Sequence, residues 1–175
     1  VPALSRDATT VDFGPAFEVV NPAGSAAVVL ACEHASAAIP EQLDALSLSA
    51  AARRSHAAFD IGAAELARAL SARLDAPLVA ACVSRLVCDC NRPPEAPDAM
   101  PEQVEIHAVP GNVGLLAADR AARTAALHDP FHAALAAVLA ARPGAALVTI
   151  HSFTPVWNGR PRALEFGFLH DADDR

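Results

Sequence analysis

Residues 26–34 read Ala-Ala-Val-Val-Leu-Ala-Cys-Glu-His, an apolar run that ends on a carboxylate and an imidazole. A short continuous run of this kind is the signature of a strand buried on both faces of a sheet. The pattern returns at residues 145–152, where Ala-Ala-Leu-Val-Thr-Ile leads into His151-Ser152. Strands of an α/β sheet present functional groups at their carboxyl ends, where ligands bind. Two imidazoles delivered there by separate strands are candidates for one shared metal site.

Working outward, the chain alternates strand-like and helix-like segments. Residues 1–25 are mixed, with Pro and Gly, and read as a loosely attached entry segment. The first strand is expected at 26–32, followed by a loop with Pro40 and a short helix near Ser49–Ala57. Ile61–Leu74 repeats apolar residues at helical spacing, with Glu65, Arg68 and Arg73 for the wet face. Leu78–Cys82 and Leu86–Cys90 read as strands, and Pro93–Pro101 as a proline-rich loop. Gly111-Asn112 marks a turn. Leu115–Ala141 is helical with a break at Pro130, and Pro143-Gly144 ends it. After the strand to His151, a loop runs through Pro155, Asn158-Gly159 and Pro161, and Ala163–Leu169 is a last strand. This order predicts an α/β fold, a mixed and largely parallel sheet flanked by helices.

A chain of 175 residues fits one domain with a sizeable core, and 53% hydrophobic against 19% charged residues excludes a disordered chain. The net charge of −7 argues against nucleic acid as a partner. No apolar run reaches the roughly 18–20 residues of a membrane span, and no signal pattern opens the chain. Cys32, Cys82, Cys88 and Cys90 contain no CxxC pair and read as reduced core residues of a cytoplasmic protein. A Cys88/Cys90 metal pair lacks zinc-ribbon spacing.

A catalytic zinc takes about three protein ligands and keeps one position open. His34 and His151 supply two, and Asp60 is the expected third. Asp60 also stands where it could cap the helix after it. Glu33 is the other carboxylate at hand, but on an extended segment it points opposite to His34. His128 and His132 are four apart and could share a helix face, with Pro130 between them weakening the pair. In Ser84–Pro93, strand alternation would send Arg85, Val87, Asp89 and Asn91 to one side. Arg85 and Arg92 could clamp a carboxylate, or an Arg–Asp pair could simply close the strand end. Arg160 and Arg162 are further candidates for an anionic substrate.

Taken in order, several blocks resemble the N-formylglutamate amidohydrolase family. They are Cys32-Glu33-His34-Ala35 with Ile39-Pro40, and His56-Ala57-Ala58-Phe59-Asp60-Ile61-Gly62-Ala63. Ser84-Arg85-Leu86-Val87 with Asp89-Cys90-Asn91-Arg92 follows, then Pro110-Gly111-Asn112, Pro130-Phe131-His132 and Ile150-His151-Ser152-Phe153-Thr154-Pro155. The resemblance implies a fold similar to the zinc-dependent exopeptidases. Ile150–Phe153 is also similar to the segment that carries a zinc-binding histidine in carboxypeptidases. Their pattern has Glu three residues after the first histidine, where this chain has Ala37, which brings Asp60 forward as third ligand.

Members of the family run longer, with further strands and acidic residues toward the C-terminus. This chain opens on Val1 and stops at Asp171–Arg175, so residues 1–175 are expected to form a single amidohydrolase-like domain that is C-terminally incomplete. Glu165 is the late glutamate left for the general base. The resemblance further implies hydrolysis of a small anionic N-formyl or N-acyl amino acid, such as N-formylglutamate, with Zn2+ or another divalent ion as cofactor. His34, Asp60 and His151 would hold the metal, and Arg85, Asn91, Arg92 and Arg162 the substrate. The alternative is a non-catalytic module that binds a carboxylate ligand and lacks a base.

Overall fold

The computed structural model describes residues 11–157 and 159–170, with Trp157 described by its backbone alone. In chain order the strands are β1 (Phe17–Val20), β2 (Val28–Cys32), β3 (Leu78–Ala81), β4 (Gln103–Val104), β5 (His107–Ala108), β6 (Ala146–Thr149), β7 (Val156–Trp157) and β8 (Arg160–Pro161). The α-helices are α1 (Ala50–Arg53), α2 (Ala63–Leu74), α3 (Ala117–Arg123) and α4 (Asp129–Ala140).

The principal sheet has the order β1-β3-β2-β6. β2 runs parallel to both β3 and β6, and β1 is antiparallel to β3. It is therefore a mixed sheet, parallel at its centre, as the alternation of elements predicts. Side chains of β2 and β3 leave the sheet in alternate directions. Leu30, Cys32, Leu78 and Ala80 pack with Ala63 and Ala67 of α2. Val29, Ala31, Val79 and Ala81 pack with Phe131 and Leu135 of α4 on the other face. Both faces are covered, which is why these strands are apolar throughout. The small residues Ala63, Ala67 and Ser71 form the buried stripe of α2 and bring that helix close to the sheet.

Several expectations need correction. Residues 17–20, within the segment read as loosely attached, form edge strand β1; Phe17 and Val19 pack with the α4 side and Arg68 of α2 ion-pairs with Glu18. Four residues between Pro15 and Pro22 carry too short a pattern to announce a strand. Leu86–Cys90 is not a strand. Leu86, Val87 and Cys88 all enter the same apolar cluster, so the expected alternation fails. The carbonyls of this buried irregular stretch are satisfied by side chains instead of a neighbouring strand. Asn112 Nδ2 donates to Leu86 O at 2.8 Å, and Arg123 Nη1 donates to Val87 O at 3.2 Å.

Ala163–Leu169 is not a strand either. Leu164, Phe166, Phe168 and Leu169 are exposed, and no neighbouring strand pairs with them among the described residues. The hairpin β7-β8 just before it is the strand structure actually formed here. The expected break at Pro130 is milder than a kink. Thr124–His128 forms a π-helical stretch, with Asp129 N donating to Thr124 O, and Pro130 sits in the first turn of α4. A proline at that place lacks only an N–H that the helix start can spare.

At one position the fold requires a glycine by contact. A Cβ on Gly111 would lie 2.7 Å from Leu46 Cα. Leu46 is buried at the centre of a turn whose residues Asp44, Ala45, Leu46 and Ser47 all have positive φ. Among the described residues no helix is long and apolar enough to cross a membrane.

Candidate metal centre

β2 and β6 are parallel neighbours, so the residues that follow them emerge at the same edge of the sheet. Ile150 N donates to Ala31 O at 2.8 Å, extending the pairing and bringing His151 beside His34. Their ring centroids are 5.0 Å apart. Asp60 arrives from the loop before α2, tied by its N–H to His34 O at 3.0 Å. It does not cap that helix: Gly62 stands at the N-cap, and the Asp60 carboxylate turns into the site.

Asp60 Oδ2 lies 2.9 Å from His151 Nδ1 and 3.4 Å from His34 Nδ1, and it accepts from Ser152 N at 3.2 Å. One ligand atom each from His34, Asp60 and His151 falls within 4.8 Å of the others. His34 and Asp60 are almost fully buried, whereas the His151 side chain is 32% exposed. The cluster therefore has one open side.

The surrounding charges are ordered around this triad. His34 Nε2 is 2.8 Å from Asp89 Oδ1, turning the outer nitrogen of that ring to a second buried carboxylate. Arg85 bridges the two acids, Nη1 lying 3.3 Å from Asp60 Oδ1 and Nη2 3.1 Å from Asp89 Oδ2. His56 Nδ1 is 3.6 Å from Asp60 Oδ1. Burial by itself would raise the Asp60 carboxyl, but the hydrogen bonds from His151 and His34 outweigh it and hold the group well below the usual range. Asp89 is treated alike: burial opposes ionisation, and His34 and Arg85 carry it below normal. For His34, burial lowers the pKa while the bonds to Asp60 and Asp89 prevail and raise it. Burial lowers His56 despite Asp60.

This donor set fits a divalent cation. It offers two imidazoles and one carboxylate with an open side, and the outer nitrogen of His34 is already held by an acid, as metal-bound histidines generally are. A further observation points the same way: Glu33 Oε2 is buried without a hydrogen-bond partner among the described residues, 3.5 Å from His151 Nε2.

The other expected residues are distributed as follows. Arg85 and Arg92 line one cavity of about 210 Å3, with Asp89, Asp98 and Gln103. Arg92 Nε donates to Asp98 Oδ2 at 2.8 Å. Asn91 is anchored through its N–H, which donates to Asp89 Oδ1 at 2.8 Å. A second cavity of about 500 Å3 shares Asp98 and Gln103 and has none of the triad in its lining. Arg162 stands 5.1 Å over the Phe153 ring on the segment after β8, and Arg160 pairs with Trp157 in the β7-β8 hairpin. Glu165 is exposed on the same late segment and lies outside the His34–Asp60–His151 cluster among the described residues. His128 and His132 do stack, with ring centroids 4.3 Å apart, but His132 Nε2 is 2.8 Å from Cys90 O and His128 Nδ1 lies against Asp129.

Sequence reasoning missed the link from Asp89 to His34 and the approach of His56 and Glu33. The spacing of His56 and Asp60, four apart, is the one signal that could have suggested the second. Alternation misplaced Glu33, because the chain turns directly after Cys32 and is no longer extended.

A mixed α/β sheet gathers a His–Asp–His cluster, buried but for His151, at the ends of two parallel strands, a donor set that could hold a metal ion. The chain belongs to the N-formylglutamate amidohydrolase family, whose sequence model matches residues 26–175. It is also similar to a solved structure, the gene product Atu2144 from Agrobacterium tumefaciens, at 52% identity and a TM-score of 0.88. That likeness covers 91% of this chain and 65% of the other, so the chain spans under two thirds of its relative's length. No curated protein matches the chain.

Proposed function

We propose that this chain carries metal-dependent amidohydrolase chemistry: hydrolysis of an N-formyl or N-acyl amino acid, N-formylglutamate-like, to the free amino acid and a carboxylic acid. The observation that supports it most is the convergence of His34, Asp60 and His151 within 4.8 Å, in a chain of the N-formylglutamate amidohydrolase family. The reading takes residues 1–175 as one domain of the zinc-exopeptidase type, with zinc as the resident ion.

In this reading His34, Asp60 and His151 hold the cation. A bound zinc or similar ion supplies a Lewis acid that acidifies water and polarises an amide carbonyl. Asp89 keeps the His34 ring in place, and Arg85 fixes both acids through its fork of donors. Arg92 faces the cavity it shares with Arg85 and exchanges Asp98 for the carboxylate of the substrate. Asn91, next to Arg92, and Arg162 are the further substrate contacts. Glu165 is the carboxylate assigned to accept a proton and return it to the leaving amine.

The test is formate release from N-formylglutamate by zinc-loaded and chelator-treated protein, with zinc content measured for the wild type, His34→Ala and His151→Ala. Stoichiometric zinc that both substitutions abolish, with turnover that follows the metal, supports the reading. Bound zinc without turnover on any N-acyl amino acid leaves a carboxylate-binding module in its place.

A further inference from the structure

Glu33 poses a problem that the triad does not solve. Its side chain is 6% exposed, and Oε2 has no hydrogen-bond partner among the described residues. A buried carboxylate oxygen left without a donor is costly, and native structures keep few of them. The polar atom facing it is His151 Nε2, 3.5 Å away.

The two histidines are arranged alike. Each directs Nδ1 inward to Asp60 Oδ2, at 3.4 Å for His34 and 2.9 Å for His151. Each directs Nε2 outward to a buried acid, Asp89 for His34 and Glu33 for His151. A neutral imidazole has one N–H and one lone pair. When Nδ1 gives its lone pair to a cation, the proton sits on Nε2, so the outer acid gains a donor.

We infer that Glu33 is a positioning residue for His151: its Oε2 accepts the Nε2–H of that ring and fixes the tautomer and orientation in which Nδ1 faces a divalent cation. The inference rests on the metal reading given above. It assigns two consecutive residues to two different rings, His34 facing inward and Glu33 bracing the histidine that arrives from β6. The turn directly after Cys32 makes this possible, since an extended chain would have pointed them apart.

The test uses protein labelled with 15N-histidine and loaded with zinc, together with zinc affinity from chelator competition. In the wild type, His151 should show the Nε2–H tautomer with a slowly exchanging proton. Glu33→Ala should lose that protection and weaken zinc about 10–100-fold. Glu33→Gln, which keeps an acceptor oxygen, should retain the protected N–H and recover most of the affinity.

An unprotected Nε2–H in zinc-loaded wild type overturns the inference, whether or not the alanine variant folds. So does a Glu33→Ala protein with unchanged affinity and protection, or a Gln variant as weak as Ala. Weakened zinc with the His151 N–H still protected also overturns it, and makes Glu33 a direct ligand. Wild type that binds no zinc defeats the metal reading itself, an outcome distinct from all of these.

Discussion

His34 Nε2 lies 2.8 Å from Asp89 Oδ1, with both side chains only 3% exposed. Asp89 is thereby placed behind the ring, on the side away from Asp60. The segment 84–92 that carries it is not paired into any sheet among the described residues, so the position of His34 depends on how firmly that segment is held.

Asp89→Ala should therefore act on metal binding while leaving the ligands themselves in the chain. If His34 ligates zinc as proposed, the expected loss in zinc affinity is about 10–100-fold, the usual cost of removing the acid behind a ligating histidine. Asp89→Asn should retain part of it. Chelator competition checks this, and unaltered affinity in the alanine variant would remove Asp89 from the site.

Arg123 should prove structural. It is buried and donates through Nη1 to Asn112 Oδ1 at 2.7 Å and to Val87 O at 3.2 Å, so Arg123→Leu leaves both acceptors unsatisfied. We expect a loss of about 1–3 kcal/mol in urea unfolding. Because Asn112 also holds Leu86 O and Pro101 O, Arg123→Leu combined with Asn112→Ala should cost less than the two single losses added.

Acid should weaken the tie between the loop after β1 and the loop after α2. The Asp75 carboxylate accepts from Asn21 Nδ2, Ser25 N and Ser25 Oγ, and these bonds lower its pKa to about 2. A carboxyl depressed in the folded state contributes stability that is complete above its unfolded value and lost as pH falls through the folded one. The contribution should thus disappear between pH ~4 and about 2. Asp75→Asn should flatten the stability profile in that window, and an identical acid limb in the variant would refute the assignment.

Thiol chemistry should follow burial. Burial pushes the Cys32 thiol up to about 12 and Cys88 up to about 11, and it raises Cys90 further still. Cys82 is half-buried and only raised. A disulfide-exchange reagent at pH 8 should react first at Cys82, and with the other three only in denaturant. Rapid modification of Cys32 or Cys90 in native protein would contradict this.

The parts of the fold legible in the sequence are those where one physical signal decides the outcome. β2 and β3 were readable because strands covered on both faces are apolar throughout; β6, the largely exposed edge strand, was readable from its β-branched and aliphatic run alone. Of the long helices, α2 shows its buried stripe, and α4 ends at Ala140, shortly before Pro143-Gly144. His34 and His151 were readable as a pair because each directly follows such a strand, and Asp60 because it precedes α2. What escaped was governed by tertiary contacts. Leu86–Cys90 is apolar enough for a strand but is satisfied by Asn112 and Arg123, far along the chain. Ala163–Leu169 is equally apolar and finds no strand to pair with among the described residues. Asp89 reads as the partner of Arg85, which it is, and nothing in its spacing reveals His34 as well.

The parallel pairing of β2 with β6 also has a kinetic meaning. Asp60 and His151 are 91 residues apart in the chain, and they meet only when β6 has docked. Bringing such distant segments together carries a loop-closure cost that slows folding. A cation held by these side chains can be captured only after the sheet has closed, so its uptake during refolding should lag behind helix formation. On the metal reading proposed above, capture would become a timer for the completion of the topology.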